Sequence, residues 1–167
     1  NGIDSLQEQR FSFLETSLYD LFSDTDGVSP IWLRDHYRCA DGIANYANHT
    51  FYGSRLRVVT AADRLRVPPG KAPGIHWTDT VSNIESRPNG CVAPEEVDQC
   101  VEILRKLLLE DAFEGTVGVV TPFAQQKTLL TTSIYSIPDL ALRASSVNLV
   151  IDTAHGFQGD ERDVMLL

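Results

Sequence analysis

No two of the three cysteines, Cys39, Cys91 and Cys100, stand close enough in sequence to form a C-x-x-C pair. An odd, scattered set excludes a disulfide framework and offers zinc no ligand spacing, which points to a reducing setting, cytoplasmic or otherwise intracellular. His76 has no His or Cys partner at ligand spacing either, so no metal site is expected. No apolar run approaches the roughly 18 residues a membrane helix needs, and no basic-then-apolar leader opens the chain, so no membrane partner is expected. Basic residues are scarce, 14 Lys and Arg against 23 Asp and Glu, for a formal charge of −9. That balance excludes nucleic-acid binding through the whole surface; any such contact must be local. A phosphate loop is missing too. Around Gly70-Lys71 the pattern G-x-x-x-x-G-K-[ST] requires glycine where Leu65 stands and Ser or Thr where Ala72 stands. No Met opens the chain, and Leu167 falls inside an apolar run, so the sequence is expected to be a piece of a longer protein, cut within a core strand. Internal repeats and low-complexity tracts are absent.

What is present suits one globular domain: 167 residues with 43% hydrophobic content. Apolar residues at Phe11, Leu14, Leu18, Leu21 and Phe22 predict a helix over Ser5 to Phe22. Ile31 to Arg38 reads as a short strand ending in Tyr37-Arg38, followed by a helix from Ala40 to Phe51. Arg55 to Thr60 and Ile75 to Thr80 read as further strands. Ala61 to Gly74, rich in Pro and Gly, is expected to be extended, and Val81 to Ala93 to be an exposed loop. The strongest helix starts at Pro94-Glu95-Glu96, where proline and acids suit a helix start, and its stripe of Val97, Val101, Leu104, Leu107 and Leu108 carries it to about Ala112. Thr116 to Thr121 is a buried strand, from whose end another helix rises through Leu129 and Leu130 towards Ile137. Val147 to Asp152, mostly apolar and β-branched, is a buried strand running into the turn Thr153 to Gly159, and Val164 to Leu167 is a last strand. This order predicts an α/β domain with a mostly parallel sheet covered by helices on both faces.

Charged groups beside glycines at a strand end make the turn after Asp152 a candidate ligand site, because glycine lets backbone approach closely. The alternative is that Gly156 and Gly159 only shape a connection and that Asp160 to Asp163 are solvated. Arg38 has similar alternatives: a planar, permanently charged fork suited to a transferring phosphoryl group, or a surface ion pair with Asp35 or Asp41. At the end of Thr116 to Thr121, Pro122 and Phe123 either meet a phosphate backbone or a base, or start a helix and pack beneath it.

The wording of these stretches resembles superfamily 1 helicases, in the branch that includes the nonsense-mediated RNA decay helicase. Thr153-Ala154-His155-Gly156-Phe157-Gln158-Gly159-Asp160-Glu161-Arg162-Asp163 is similar to motif V, T-x-x-x-F-Q-G-x-E-x-D. Leu33 to Arg38 with the later Phe51-Tyr52-Gly53 and Leu56 resembles motif IV, and Val117 to Gln126 resembles I-G-[IV]-[IV]-T-P-[YF]-x-x-Q. The likeness covers about residues 16 to 60 and 94 to 167. It implies the second RecA-like domain of a P-loop NTPase-type helicase, truncated before motif VI. Its partners would be single-stranded DNA or RNA and the first RecA-like domain of the same polypeptide, and its cofactor ATP with Mg2+, held mainly by that first domain. The resemblance assigns catalysis to Arg38, ATP contacts to Gln158, Gly159 and Glu161, and nucleic-acid contacts to Thr121, Pro122, Phe123, Thr153 and His155. Asp160 departs from the family, which often has a basic residue there, so a phosphate contact does not carry over to it. A helicase-like scaffold without ATPase activity shares the same order of elements, and a flavodoxin-like nucleotide-binding domain is a third reading.

Overall fold

The structure is a computed structural model that describes residues 16–88 and 90–167. It divides into two units, Asn1–Arg34 and Asp35–Leu167. In the first, the expected Ser5 to Phe22 helix survives only as α1, Leu18–Ser23; Phe11 and Leu14 lie outside the described residues. Ser17 caps α1: its Oγ accepts from the Asp20 N–H at 3.1 Å while the Asp20 carboxylate takes the Ser17 N–H at 3.2 Å. Ile31, Trp32 and Leu33 do not extend the next strand as expected, and Ile31 and Leu33 stand 91% and 88% exposed.

The second unit begins with β1, Asp35–His36, paired in parallel with β2, Arg57–Val58. Helix α2, Asp41–Phe51, connects them, as expected of a parallel pair. Arg57 grips Asp35 across the pair with two hydrogen bonds of 2.8 and 2.9 Å. Asn48 closes the return from α2, its amide exchanging two 2.9 Å bonds with the backbone of Leu56.

Two sequence expectations fail in the segment that follows. Ile75 to Thr80 is not a strand, and Trp77 stands 88% exposed. The supposed loop of Val81 to Ala93 contains an antiparallel hairpin, β3, Glu85–Arg87, and β4, Gly90–Val92. Alternation in the first stretch has no partner strand to satisfy it, whereas Ser82 and Asn83 are tied down by the Glu95 carboxylate, which draws the segment onto the next helix.

That helix, α3, Pro94–Arg105, buries Val97, Val101 and Leu104 and continues as one wide π turn, Lys106–Glu110, that buries both Leu107 and Leu108. Strand β5, Val117–Thr121, leads to α4, Ala124–Tyr135. Pro138, which has no N–H to continue α4, instead opens a helix absent from the sequence reading, α5, Pro138–Ser146. Arg143 of α5 donates to the carbonyls of Leu108 (3.1 Å) and Phe113 (3.2 Å), tying α5 to the end of the π turn. Strand β6, Val150–Thr153, starts three residues later than expected because Val147 still closes α5 and Asn148 turns with φ 51°. Strand β7, Val164–Leu166, completes a parallel sheet of order β6-β5-β7.

The core joins Val117 and Val119 of β5 to Leu104 and Leu108, Leu130 and Ile134 of α4, and Leu140 and Ala144 of α5. Gly118 points to the other side of the strand, where the Met165 sulfur, Arg162 and Phe157 press so closely that a Cβ would lie 2.6 Å from the sulfur. The chain is thus an α/β mixture with small parallel sheets; the β1-β2 pair stands apart from β6-β5-β7, so the single broad sheet of the sequence reading is not formed among the described residues. No helix among those residues is long and apolar enough to cross a membrane.

Candidate functional site

Strands β5 and β6 run in register, Thr121 beside Thr153, so the turns that follow both leave from one end of the sheet. After β5, Thr121 is only 6% exposed, and its Oγ1 accepts weakly from the Phe123 N–H at 3.5 Å. Pro122 is exposed and Phe123 is 45% exposed, so the ring does not pack beneath α4. Gln126, which the family likeness had marked, is buried and turns inward. Its amide accepts from the Ala93 N–H at 2.9 Å and donates to the Ala93 carbonyl at 3.3 Å, fastening the start of α3 to α4.

After β6 the backbone folds into successive turns: Phe157 N–H donates to Thr153 O, Gln158 N–H to His155 O and Asp160 N–H to Phe157 O. Gly156 lies directly over the Asp152 side chain, where a Cβ would come within 2.3 Å of the carboxyl carbon. Gly159 has open space around it but φ of +84°, so there glycine serves conformation rather than room. His155, Gln158, Gly159 and Glu161 are exposed, and Thr153 is half-buried.

The charges of this turn are largely matched internally. Arg162, its side chain 10% exposed, donates to Asp160 at 2.6 Å and to the Glu161 carbonyl at 2.8 Å. Asp160 is therefore engaged within the turn. Asp163 accepts from the Thr116 N–H at 2.7 Å and hydroxyl at 2.9 Å, pinning β7 to the start of β5. The remaining acid, Glu161, stands 3.6 Å from Nε of Arg38, with the two side chains 74% and 65% exposed. Neither Asp35 nor Asp41 is the partner expected for Arg38. Asp35 is held by Arg57, whose hydrogen bond is the main reason its carboxyl lies below the ordinary range.

A further pair, unmarked in the sequence reading, bridges the two turns. Lys127 in the first turn of α4 donates to Asp152 Oδ1 at 2.7 Å, and the same oxygen takes the Thr153 N–H at 2.7 Å. The Lys127 hydrogen bond, then the backbone one, hold the Asp152 carboxyl below its ordinary range. Its only sequence cue is a basic residue following Gln126, which by itself has no stated partner.

The structure thus brings together Arg38 with Glu161 and Thr121 with Thr153. A guanidinium, an exposed amide at Gln158 and open backbone at Gly159 are groups that suit one side of a polyphosphate. Among the described residues no three His, Cys, Asp or Glu side chains gather as a metal site, so these residues fit the phosphates rather than the metal of an ATP complex.

Residues 14–167 match the family described as AAA domain. The regulator of nonsense transcripts 1 of Takifugu rubripes is 26% identical over 149 residues, covering 84% of this chain. The chain spans about 13% of the length of that relative.

Proposed function

Because the chain belongs to the AAA domain family that residues 14–167 match, we propose that it serves an ATP-dependent nucleic-acid helicase, as the second RecA-like domain of a longer polypeptide. In this reading Arg38 completes an ATP site whose phosphate loop and magnesium are supplied by the first RecA-like domain. Gln158, Gly159 and Glu161 line this chain's half of it. Thr121, Pro122, Phe123, Thr153 and His155 form the track for single-stranded DNA or RNA.

The observation that carries the proposal is the Arg38–Glu161 pair, which joins the strand-end arginine to the glycine turn across the chain. Both side chains are largely exposed, and exposed pairs contribute only about 0–1 kcal/mol. Glu161 therefore acts as a resting partner that orients the guanidinium without trapping it. When ATP is bound across the domain cleft, Arg38 exchanges the carboxylate for phosphoryl oxygens, where its planar fork meets developing charge. The buried Thr121 contributes by holding the shape of its turn, and the exposed Phe123 ring offers a face for a base.

The test is Arg38→Ala in the full-length protein. ATP turnover is expected to fall by about 10³- to 10⁵-fold, the usual effect of an arginine acting on a transferring phosphoryl group, with single-strand affinity and melting temperature nearly unchanged. Arg38→Lys should rescue poorly, because an ammonium lacks the fork. Turnover within a few fold of the parent would sink the assignment and favour a helicase-like interaction scaffold.

A further inference from the structure

We infer that Lys127 and Asp152 form a positioning latch that carries occupancy of the single-strand turn to the ATP-facing turn; this rests on the helicase reading above. Lys127 is fixed to the first turn at its backbone, since its N–H donates to the Phe123 carbonyl at 3.0 Å. Its side chain is fixed to the second, through the 2.7 Å bond to Asp152 Oδ1. Asp152 in turn takes the Thr153 N–H and supports Gly156, whose missing Cβ leaves room for the carboxylate and nothing more. The path from Phe123 to Gly156 is continuous, and Gln158, Gly159 and Glu161 lie just beyond it.

The preference of helices runs against this lysine. The first turn of a helix favours acids over cations, and α4 has neither an acid there nor a side-chain cap, so Lys127 gives the helix no local stability. Its location is explained by the carboxylate it reaches. Lys127 and Asp152 side chains are 38% and 30% exposed, open enough for the pair to separate and close again. A base stacking on Phe123 shifts the start of α4, Lys127 follows, and the carboxylate beneath Gly156 either keeps or releases its hold on the turn. The latch is thus an element with two arrangements that both sites bias.

The experiment measures ATP turnover of the full-length protein with and without oligo(dT) or oligo(U), in Lys127→Met, Asp152→Asn, the double variant and Lys127→Arg. Strand-stimulated kcat should fall about 3- to 30-fold in each single loss variant, the range expected for a residue that modulates coupling. Strand-free turnover and KM for ATP should stay within about twofold, the double variant should be no worse than the worse single one, and Lys127→Arg should recover most of the stimulation. If the wild type is stimulated but both single variants keep that stimulation within about twofold, the latch alone is overturned. If strand-free turnover falls by the same factor as stimulated turnover, the pair is merely structural and the latch is again overturned. A wild type with no strand-stimulated turnover overturns the helicase reading and the latch together.

Discussion

Replacing Gln126 by alanine isolates the clamp between α3 and α4. Gln126 is 6% exposed and lies on the same stripe of α4 as Leu130 and Ile134, so its amide sits among apolar neighbours. Its two bonds to Ala93 are not equivalent. The Ala93 carbonyl also accepts from the Glu96 and Val97 N–H groups, at 3.1 and 3.2 Å, and keeps those partners after truncation. The Ala93 N–H, 2.9 Å from Gln126 Oε1, would be left with none in a residue only 7% exposed. An orphaned buried donor costs about 1–3 kcal/mol, and the void left by the shortened side chain adds about 1 more, for roughly 2–4 kcal/mol in all. With a urea slope of about 2 kcal/mol per molar, the midpoint followed by far-ultraviolet circular dichroism should fall by about 1–2 M. Gln126→Glu separates the two halves of the clamp, since its carboxylate still accepts from the N–H but sets an oxygen against the carbonyl. Burial raises the pKa of that acid in the folded state, so its stability relative to wild type should be fullest at low pH, where the protonated acid donates, and should be lost as pH rises through the folded pKa. A midpoint shift below about 0.3 M for Gln126→Ala would refute the reasoning, because the N–H would then have found another partner at little cost.

Asp163→Ala should release β7 from β5: amide exchange at Val164, whose N–H donates to Thr116 O, is expected to quicken by about tenfold or more, while the core of α3 exchanges as before. Unchanged exchange at Val164 would count against the Asp163–Thr116 bonds as what holds the strand. Burial pushes the Cys100 thiol up to about 12 from an ordinary value of 9.0. It should therefore resist iodoacetamide in native protein at pH 8, and labelling at the unfolded rate would contradict its burial. Because the folded value is raised, the associated stability is full below about 9 and is lost as pH climbs from there towards 12, which urea midpoints at rising pH would track.

Features with a local cause were legible in the sequence. The apolar stripe from Val97 to Leu108 and the run into Thr153 through Gly159 carry their periodicity and turn chemistry within a dozen residues, and α3, β5, β6 and β7 follow them closely. Features that depend on distant partners were not. Ile75 to Thr80 alternates like a strand yet meets no neighbour to pair with, while Glu85–Arg87 and Gly90–Val92, polar and glycine-bearing, pair because Gln126 and Glu95 anchor their surroundings. Pro138 is a simple miss, a helix start taken for part of a connection. At the site, residue types could nominate Arg38 and Glu161 separately, but their pairing and that of Lys127 with Asp152 arise only when separate segments fold together.

The wide turn at Lys106–Glu110 has a consequence for how this domain tolerates changes of length. One surplus residue is accommodated there as a looser coil, with Asp111 N–H reaching back to Lys106 O, rather than being expelled into the following loop. Both Leu107 and Leu108 are thereby kept inward, and the Leu108 carbonyl meets Arg143. Deleting one residue within this stretch would restore ordinary helical winding but rotate everything beyond it by about 100°, turning one leucine towards water and carrying a carbonyl away from the guanidinium. An insertion in the exposed stretch around Trp77 has no such lever on the core. Length variation among descendants of this sequence should therefore gather before α3 and avoid its end.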